Sequence, residues 1–152
     1  MMAELVTVEG LSELSNALRQ MSVRLQANGV AAAIYAAAAI IRNQAKANAP
    51  VQTGTLKRAI YASKDRSKTT TTTKAMIVGV RKGKKLRTVN SRGRNTSRDA
   101  YYADWVEFGT KKTPAQPFLR PAFESTKEEA LGALKTRLSK AVDDARRAGL
   151  GG

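Results

Sequence analysis

Two residue types are missing altogether from this 152-residue chain, cysteine and histidine. Their absence removes disulfides, thiolate nucleophiles and imidazole bases, and with them nearly every transition-metal site. Stability must therefore come from packing. No apolar run of the ~18 residues needed to span a bilayer is present, because the alanine-rich stretch Val30–Ala39 soon meets Arg42, Asn43 and Gln44. The first residues carry Glu4 and Glu9 with no basic stretch ahead of an apolar block, which is not the layout of a secretory signal. These readings predict a protein made in the cytoplasm of its host and making no membrane contact. Acidic residues are also scarce, 12 against 27 Lys and Arg, for a formal charge of +15. Such an excess implies a negatively charged partner, whether nucleic acid, an acidic protein or a membrane surface, and charge alone does not say which.

What is present organises into a few elements. After an extended start at Leu5–Val8, the three-and-four spacing of Leu11, Leu14, Leu18, Met21 and Leu25 predicts one helix. Asn28 and Gly29 are expected to break it, and Val30, Ile34, Ala38, Ile41 and Ala45 to mark a second helix ending near Ala47, ahead of Pro50. Alanine lets neighbouring backbones approach closely, which places this second helix at the centre of the core. A turn around Gly54 leads to Leu56–Tyr61, the start of a strand or of a short amphipathic segment. A hairpin with its tip at Asp65–Thr73 follows, returning through Lys74–Val80, where Met76, Ile77 and Val78 are the most strand-like residues. The five consecutive threonines, Thr69–Thr73, fit either the return strand or a mobile tip. Pro121, Glu124, Glu128 and Glu129 suit the start of a final helix and Arg146 and Arg147 its end. Phe123, Leu131, Leu134, Leu138, Val142 and Ala145 are its expected buried face.

Between the hairpin and the final helix lie two unusual segments. Residues 81–98 hold Arg81, Lys82, Lys84, Lys85, Arg87, Arg92, Arg94 and Arg98, no acid, and only Leu86 and Val89 as sizeable aliphatics. Such a composition cannot bury itself, and its length predicts either disorder before assembly or a functional arm. Arginine and lysine on such an arm suit sequence-independent, salt-sensitive contact with DNA, and equally contact with an acidic protein. Next, Tyr101, Tyr102, Trp105 and Phe108, with Val106 among them, gather half of the chain's aromatics ahead of Gly109, a stretch expected to anchor the fold. Aromatics beside the arm could stack on bases, but tyrosines next to a tryptophan more often serve a core or a protein interface.

Catalytic chemistry finds little to work with. Asp104 and Glu107, three apart, could share a helix face and hold a cation, yet ion pairing with Lys111, Lys112 or a neighbouring subunit is simpler. Asp143 and Asp144 read as a solvated face. Gly79, Gly83 and Lys84 only echo a phosphate-binding loop, since the glycine-lysine-serine/threonine sequence is incomplete. No catalytic residue, metal or cofactor is assigned.

Four segments in order, VEGLSELSNAL (Val8–Leu18), AKANAPVQTGTLKRAI (Ala45–Ile60), YYADWVEFGT (Tyr101–Thr110) and PAQPFLRPAFE (Pro114–Glu124), resemble the gene-product-ten-like tail-completion family of long-tailed phages. The resemblance implies an α+β fold: a small antiparallel sheet packed against a long central helix and a C-terminal helix, with a long basic loop. Residues 1–148 would form one domain, 81–98 its flexible arm and 149–152 a disordered tail. It further implies a structural virion protein of the neck, one subunit of a six-fold ring, whose partners are copies of itself and the head-closure, tail-terminator or tail-tube proteins, with genomic DNA in the channel. Tyr101, Tyr102, Trp105, Phe108, Pro117, Phe118, Leu119 and Arg120 are then the expected interface residues, and the eight cations of the arm the expected contacts to DNA or to an acidic partner. The long arm departs from the short hairpin expected of the family. The competing readings are a free-standing basic nucleic-acid-binding protein and, last, a small metal-dependent hydrolase built on Asp104 and Glu107.

Overall fold

The computed structural model describes residues 11–19, 23–52, 54–70, 73–83, 86, 89–93 and 97–149. The expected extended start at Leu5–Val8 lies outside them. In chain order the elements are α1 (Leu11–Arg19), α2 (Val23–Asn48), α3 (Thr55–Ala59), β1 (Ile60–Lys64), β2 (Met76–Val80), α4 (Ala103–Phe108) and α5 (Leu119–Gly149). The fold is α+β, with a two-stranded antiparallel sheet set against long helices. None of the described helices is long and apolar enough to cross a membrane.

The dominant contact is α2 against α5. Ala33, Ala38 and Ala45 are buried on α2 and Ala49 just after it, and Ala122, Thr126, Ala130, Leu138 and Val142 on α5. Small side chains on both surfaces let the two helices approach closely, and where a hydroxyl is buried it is satisfied locally: Thr126 Oγ1 donates to the Ala122 carbonyl at 2.6 Å. The expected break at Asn28–Gly29 does not occur, and α2 runs unbroken through both residues. The reason is visible in the packing. A Cβ on Gly29 would stand 2.9 Å from the Ala141 Cβ, so the glycine marks a helix crossing and not a helix end. Its local cost, ~1 kcal/mol relative to alanine, is outweighed by tertiary contact.

A second correction concerns α5. Phe123 is exposed (55 %), whereas Ala122, one position earlier, is fully buried. At this end α5 meets the core formed by Ala45, Ala49, Leu56, Ala59, Ile60, Ala100, Ala103 and Phe118, whose largest member, Phe118, already fills the space. The segment after Gly54 resolves into both of its alternatives, a single helical turn (α3) followed by β1. The hairpin pairs Ile60 with Val80 through Lys64 with Met76, and Ile60 is buried beneath it. Of the threonine run, the described residues Thr69, Thr70 and Thr73 extend no strand: Thr70 N–H donates to the Thr73 carbonyl at 2.8 Å, and Asp65 closes its own side of the tip by accepting from the Ser67 hydroxyl at 2.6 Å.

Candidate interaction surface

Helix α4 is the feature around which the expected interface residues collect. Its inner side is set by Ala100 and Ala103, both buried in the core, so the helix lies close to the sheet and α2. Its outer side carries Trp105 and Phe108, which are 57 % and 69 % exposed, and Tyr101, in the turn just ahead of the helix, is 55 % exposed. The expectation that the aromatic stretch anchors the fold holds for part of it: Tyr102 and Val106 are half-buried against the core, while Tyr101, Trp105 and Phe108 face outward. Tyr101 meets both Tyr102 and Trp105 edge-to-face, at centroid separations of 5.5 and 5.8 Å, so the rings hold one another in fixed orientations.

A groove opens on each side of this ridge. One, of about 660 Å³, has walls from α2 (Ile34, Ile41), β2 (Met76, Val78) and the exposed rings of Phe108 and Phe123. The other, of about 420 Å³, lies between Pro50, Leu56, Trp105, Val106 and Pro114. Both are mainly apolar, and α4 separates them.

The segment after α4 is folded back and pinned. Gly109 N–H donates to the Trp105 carbonyl at 2.9 Å and adopts φ 76°. A Cβ there would come within 2.8 Å of the Ala115 nitrogen, so only glycine fits. Thr110 N–H then donates to Thr113 O (2.9 Å) and Gln116 N–H to Val106 O (2.8 Å), holding Pro114–Pro117 against α4. Of the expected interface residues here, Pro117 and Arg120 are exposed and Leu119 half-buried, while Phe118 lies wholly inside the chain's own core.

The two carboxylates of α4 have separate tasks. Asp104 pairs with Lys82, not with Lys111 or Lys112. Both side chains are exposed (65 % and 40 %), so the pair contributes little to stability. Glu107 reaches across to the start of α5: Oε2 accepts from the N–H groups of Phe118 (2.8 Å) and Leu119 (3.0 Å), and Oε1 from Arg120 (3.0 Å). A helix start presents N–H groups with no internal partner and a partial positive charge. The next residue, Pro121, has no N–H to satisfy, so one carboxylate closes the whole terminus. Burial by itself would raise the Glu107 pKa, but the three N–H donors and the Arg120 charge together hold it below the ordinary carboxylate value. Sequence reasoning assigned Glu107 no role of this kind. Yet there was a sign of it, because the start of α5 has Phe118 where a capping Ser, Thr, Asp or Asn would normally stand. Among the described residues no group of carboxylates is placed to hold a metal ion.

The basic arm emerges beside this ridge from a fixed base. Ala100 N–H donates to Arg81 O (3.1 Å) and Arg98 N–H to Leu86 O (2.9 Å), while buried Asp99 accepts from Gly83 N–H (2.8 Å). Arg58 on α3 donates to the Ser97 carbonyl at 3.3 Å, which ties the base to the core. Arg81, Lys82, Arg92 and Arg98 are exposed, and the Arg81 guanidinium lies 5.0 Å over the Tyr61 ring. Lys84, Lys85, Arg87 and Arg94 are outside the described residues.

One family model, described as "Bacteriophage HK97-gp10, putative tail-component", matches residues 12–109. No curated protein and no solved structure matches the chain.

Proposed function

The chain belongs to the family of HK97 gp10-like phage tail components, and from that premise we propose that it completes the tail at the neck of the virion as one subunit of a ring. A structural role in a phage tail, and with it a place in the virion among other virion proteins, follows from the family. The finer reading is that copies of this chain contact one another and the head-closure, tail-terminator or tail-tube proteins through the α4 ridge. The single observation that supports it is the exposure of Trp105 and Phe108 on a short helix, and of Tyr101 just ahead of it, with an apolar groove on each side. Three aromatic side chains more than half exposed are costly for an isolated soluble protein and typical of a contact surface. The rigid support behind them, through Gly109 and Glu107, means little ordering entropy is lost on docking.

The exposed cations at the base of the arm support an accompanying contact with a polyanion, either DNA in the ring channel or an acidic face of a neighbouring protein. Sedimentation velocity of the purified chain, alone and mixed with the head-closure and tail-terminator proteins, tests the assembly reading. Trp105→Ala should abolish ring or neck formation while leaving the monomer folded. Unchanged assembly by that variant and by Phe108→Ala would remove the ridge from the interface. Deleting Lys82–Arg98 separates the two polyanion readings: if salt-sensitive DNA binding persists while neck assembly stops, the arm contacts protein.

A further inference from the structure

Phe123 stands 55 % exposed near the start of α5, on the side of α4 that carries Ala103, Glu107 and Phe108. A phenylalanine left in water forgoes the gain of burying its ring. Glu124 follows it in the chain, and Glu128 shares the stripe of Glu124 four positions on. Both are exposed, and with Glu129 they make up three of the chain's 12 acids. Neither of the two has an ion pair or side-chain hydrogen bond among the described residues. Of the cations nearby, Arg120 already faces the Glu107 carboxylate and Lys127 is engaged within the chain.

The opposite side of α4 carries the complement. Pro50, Leu56, Tyr102, Trp105, Val106 and Pro114 line a slot of about 420 Å³. A ring of benzene's size needs roughly 150 Å³, so one phenylalanine side chain fits with its neighbours at the mouth. Lys112 lines the slot, Lys111 is exposed beside it, and the Arg58 guanidinium lies against Gly54 at its edge. No carboxylate is among the lining residues, and neither lysine has an acidic partner among the described residues. The slot thus calls for an aromatic side chain accompanied by acids.

We propose that Phe123 of one copy of this chain enters the slot of the next copy, with Glu124 and Glu128 set against its Lys111 and Lys112. This contact rests on the ring reading and gives it a geometry. Because α4 stands between Phe123 and the slot, no copy fills its own. A knob and a hole on different faces of one molecule meet head to tail, which closes into a ring or runs on as a filament. Charge selects a second copy as the occupant. At a net +15, two copies repel across most of their surface, so self-association must bring the few unpaired acids onto cations. Glu107 holds the two halves in fixed relation, since it ties the helix bearing Trp105 to the N–H groups just ahead of Phe123. That fixed relation sets the angle between successive copies.

Charge exchange makes the test. One chain carries Glu124→Lys with Glu128→Lys, a second Lys111→Glu with Lys112→Glu, and sedimentation velocity follows each beside the native chain. All four positions are exposed, so both variants should fold. Each alone should associate about tenfold or more weakly than the native chain, as should Phe123→Ala. An equimolar mixture of the two charge variants should recover, because the lysines of one then face the glutamates of the other. Native-like association by both variants, or a mixture no stronger than its parts, overturns the proposal and leaves the ring to another surface. If the lysine-to-glutamate chain still self-associates and loses only the binding of a head-closure or tail-terminator protein, the slot belongs to that protein and the proposal falls. A native chain that stays monomeric, alone and with those proteins, defeats the ring reading and this contact with it. Where the native chain assembles, cysteines read the contact directly, since the chain has none of its own. A Phe123→Cys chain mixed with a Thr113→Cys chain should form a mixed disulfide on mild oxidation, and with an Ile77→Cys chain should not. Equal yields from the two mixtures overturn the proposal.

Discussion

Replacing Glu107 should expose how much of the fold depends on one side chain reaching between two helices. In Glu107→Ala three N–H groups lose their acceptor. That of Arg120, on an exposed residue, turns to water, but that of Phe118 belongs to a residue with no exposed surface. An orphaned buried donor costs ~1–3 kcal/mol, and loss of the favourable charge at a helix start adds ~0.3–1 kcal/mol. The sum, about 1–4 kcal/mol, should lower the midpoint of a urea titration without changing its slope and lower Tm by about 3–16 °C for a chain of this size. Glu107→Gln keeps one oxygen for Phe118 and Leu119 and should lose only about 1 kcal/mol. The pH dependence carries a sign. Because the folded pKa is depressed, the carboxylate contributes stability above the ordinary value of 4.5 and loses it as pH falls through the folded value. The wild type should therefore weaken relative to Glu107→Gln on acidification below that value. A Glu107→Ala protein within about 0.5 kcal/mol of wild type would refute the reasoning, since that is the ordinary effect of a surface substitution.

Gly109→Ala must either abandon φ 76° or push Ala115 aside, and calorimetry should show a loss of about 1–3 kcal/mol. Gly29→Ala tests the helix crossing: propensity alone would stabilise by ~1 kcal/mol, so a net loss in urea titration shows that contact with Ala141 decides the sign. Phe118→Ala should cost about 3–5 kcal/mol by the same assay, as expected for a fully buried ring. Asp104→Ala should change stability by less than ~1 kcal/mol at low salt and by less still at high salt, because its pair with Lys82 is exposed.

The long elements were legible because their patterns are strong: alanine and aliphatic periodicity for α2, β-branched residues for the hairpin, acidic and basic ends for α5. Where reading failed, a non-local contact overruled a local rule. Gly29 looks like a terminator in any window, and only the approach of Ala141, over a hundred residues away, explains why the helix continues. Phe123 has the right spacing for the buried face of α5, but the site it would occupy is already taken by Phe118. In the interaction surface, the aromatic cluster was visible as composition, while its exposure was not, since periodicity over six residues does not say which side faces solvent. Glu107 was read as half of an acidic pair. Its partners are backbone N–H groups, which every helix start presents and no side-chain pattern announces.

The Glu107 clasp also has a mechanical consequence. The aromatic ridge sits on a helix of six residues, too short to withstand a load by itself, but its last turn grips the first turn of a helix of 31. A pull on Trp105 is thus delivered to the root of α5 and along its seam with α2, so the chain answers as a stiff lever instead of yielding at a hinge. For a protein of a tail that must hold together while a genome is driven through it, that stiffness is the property a contact surface needs behind it.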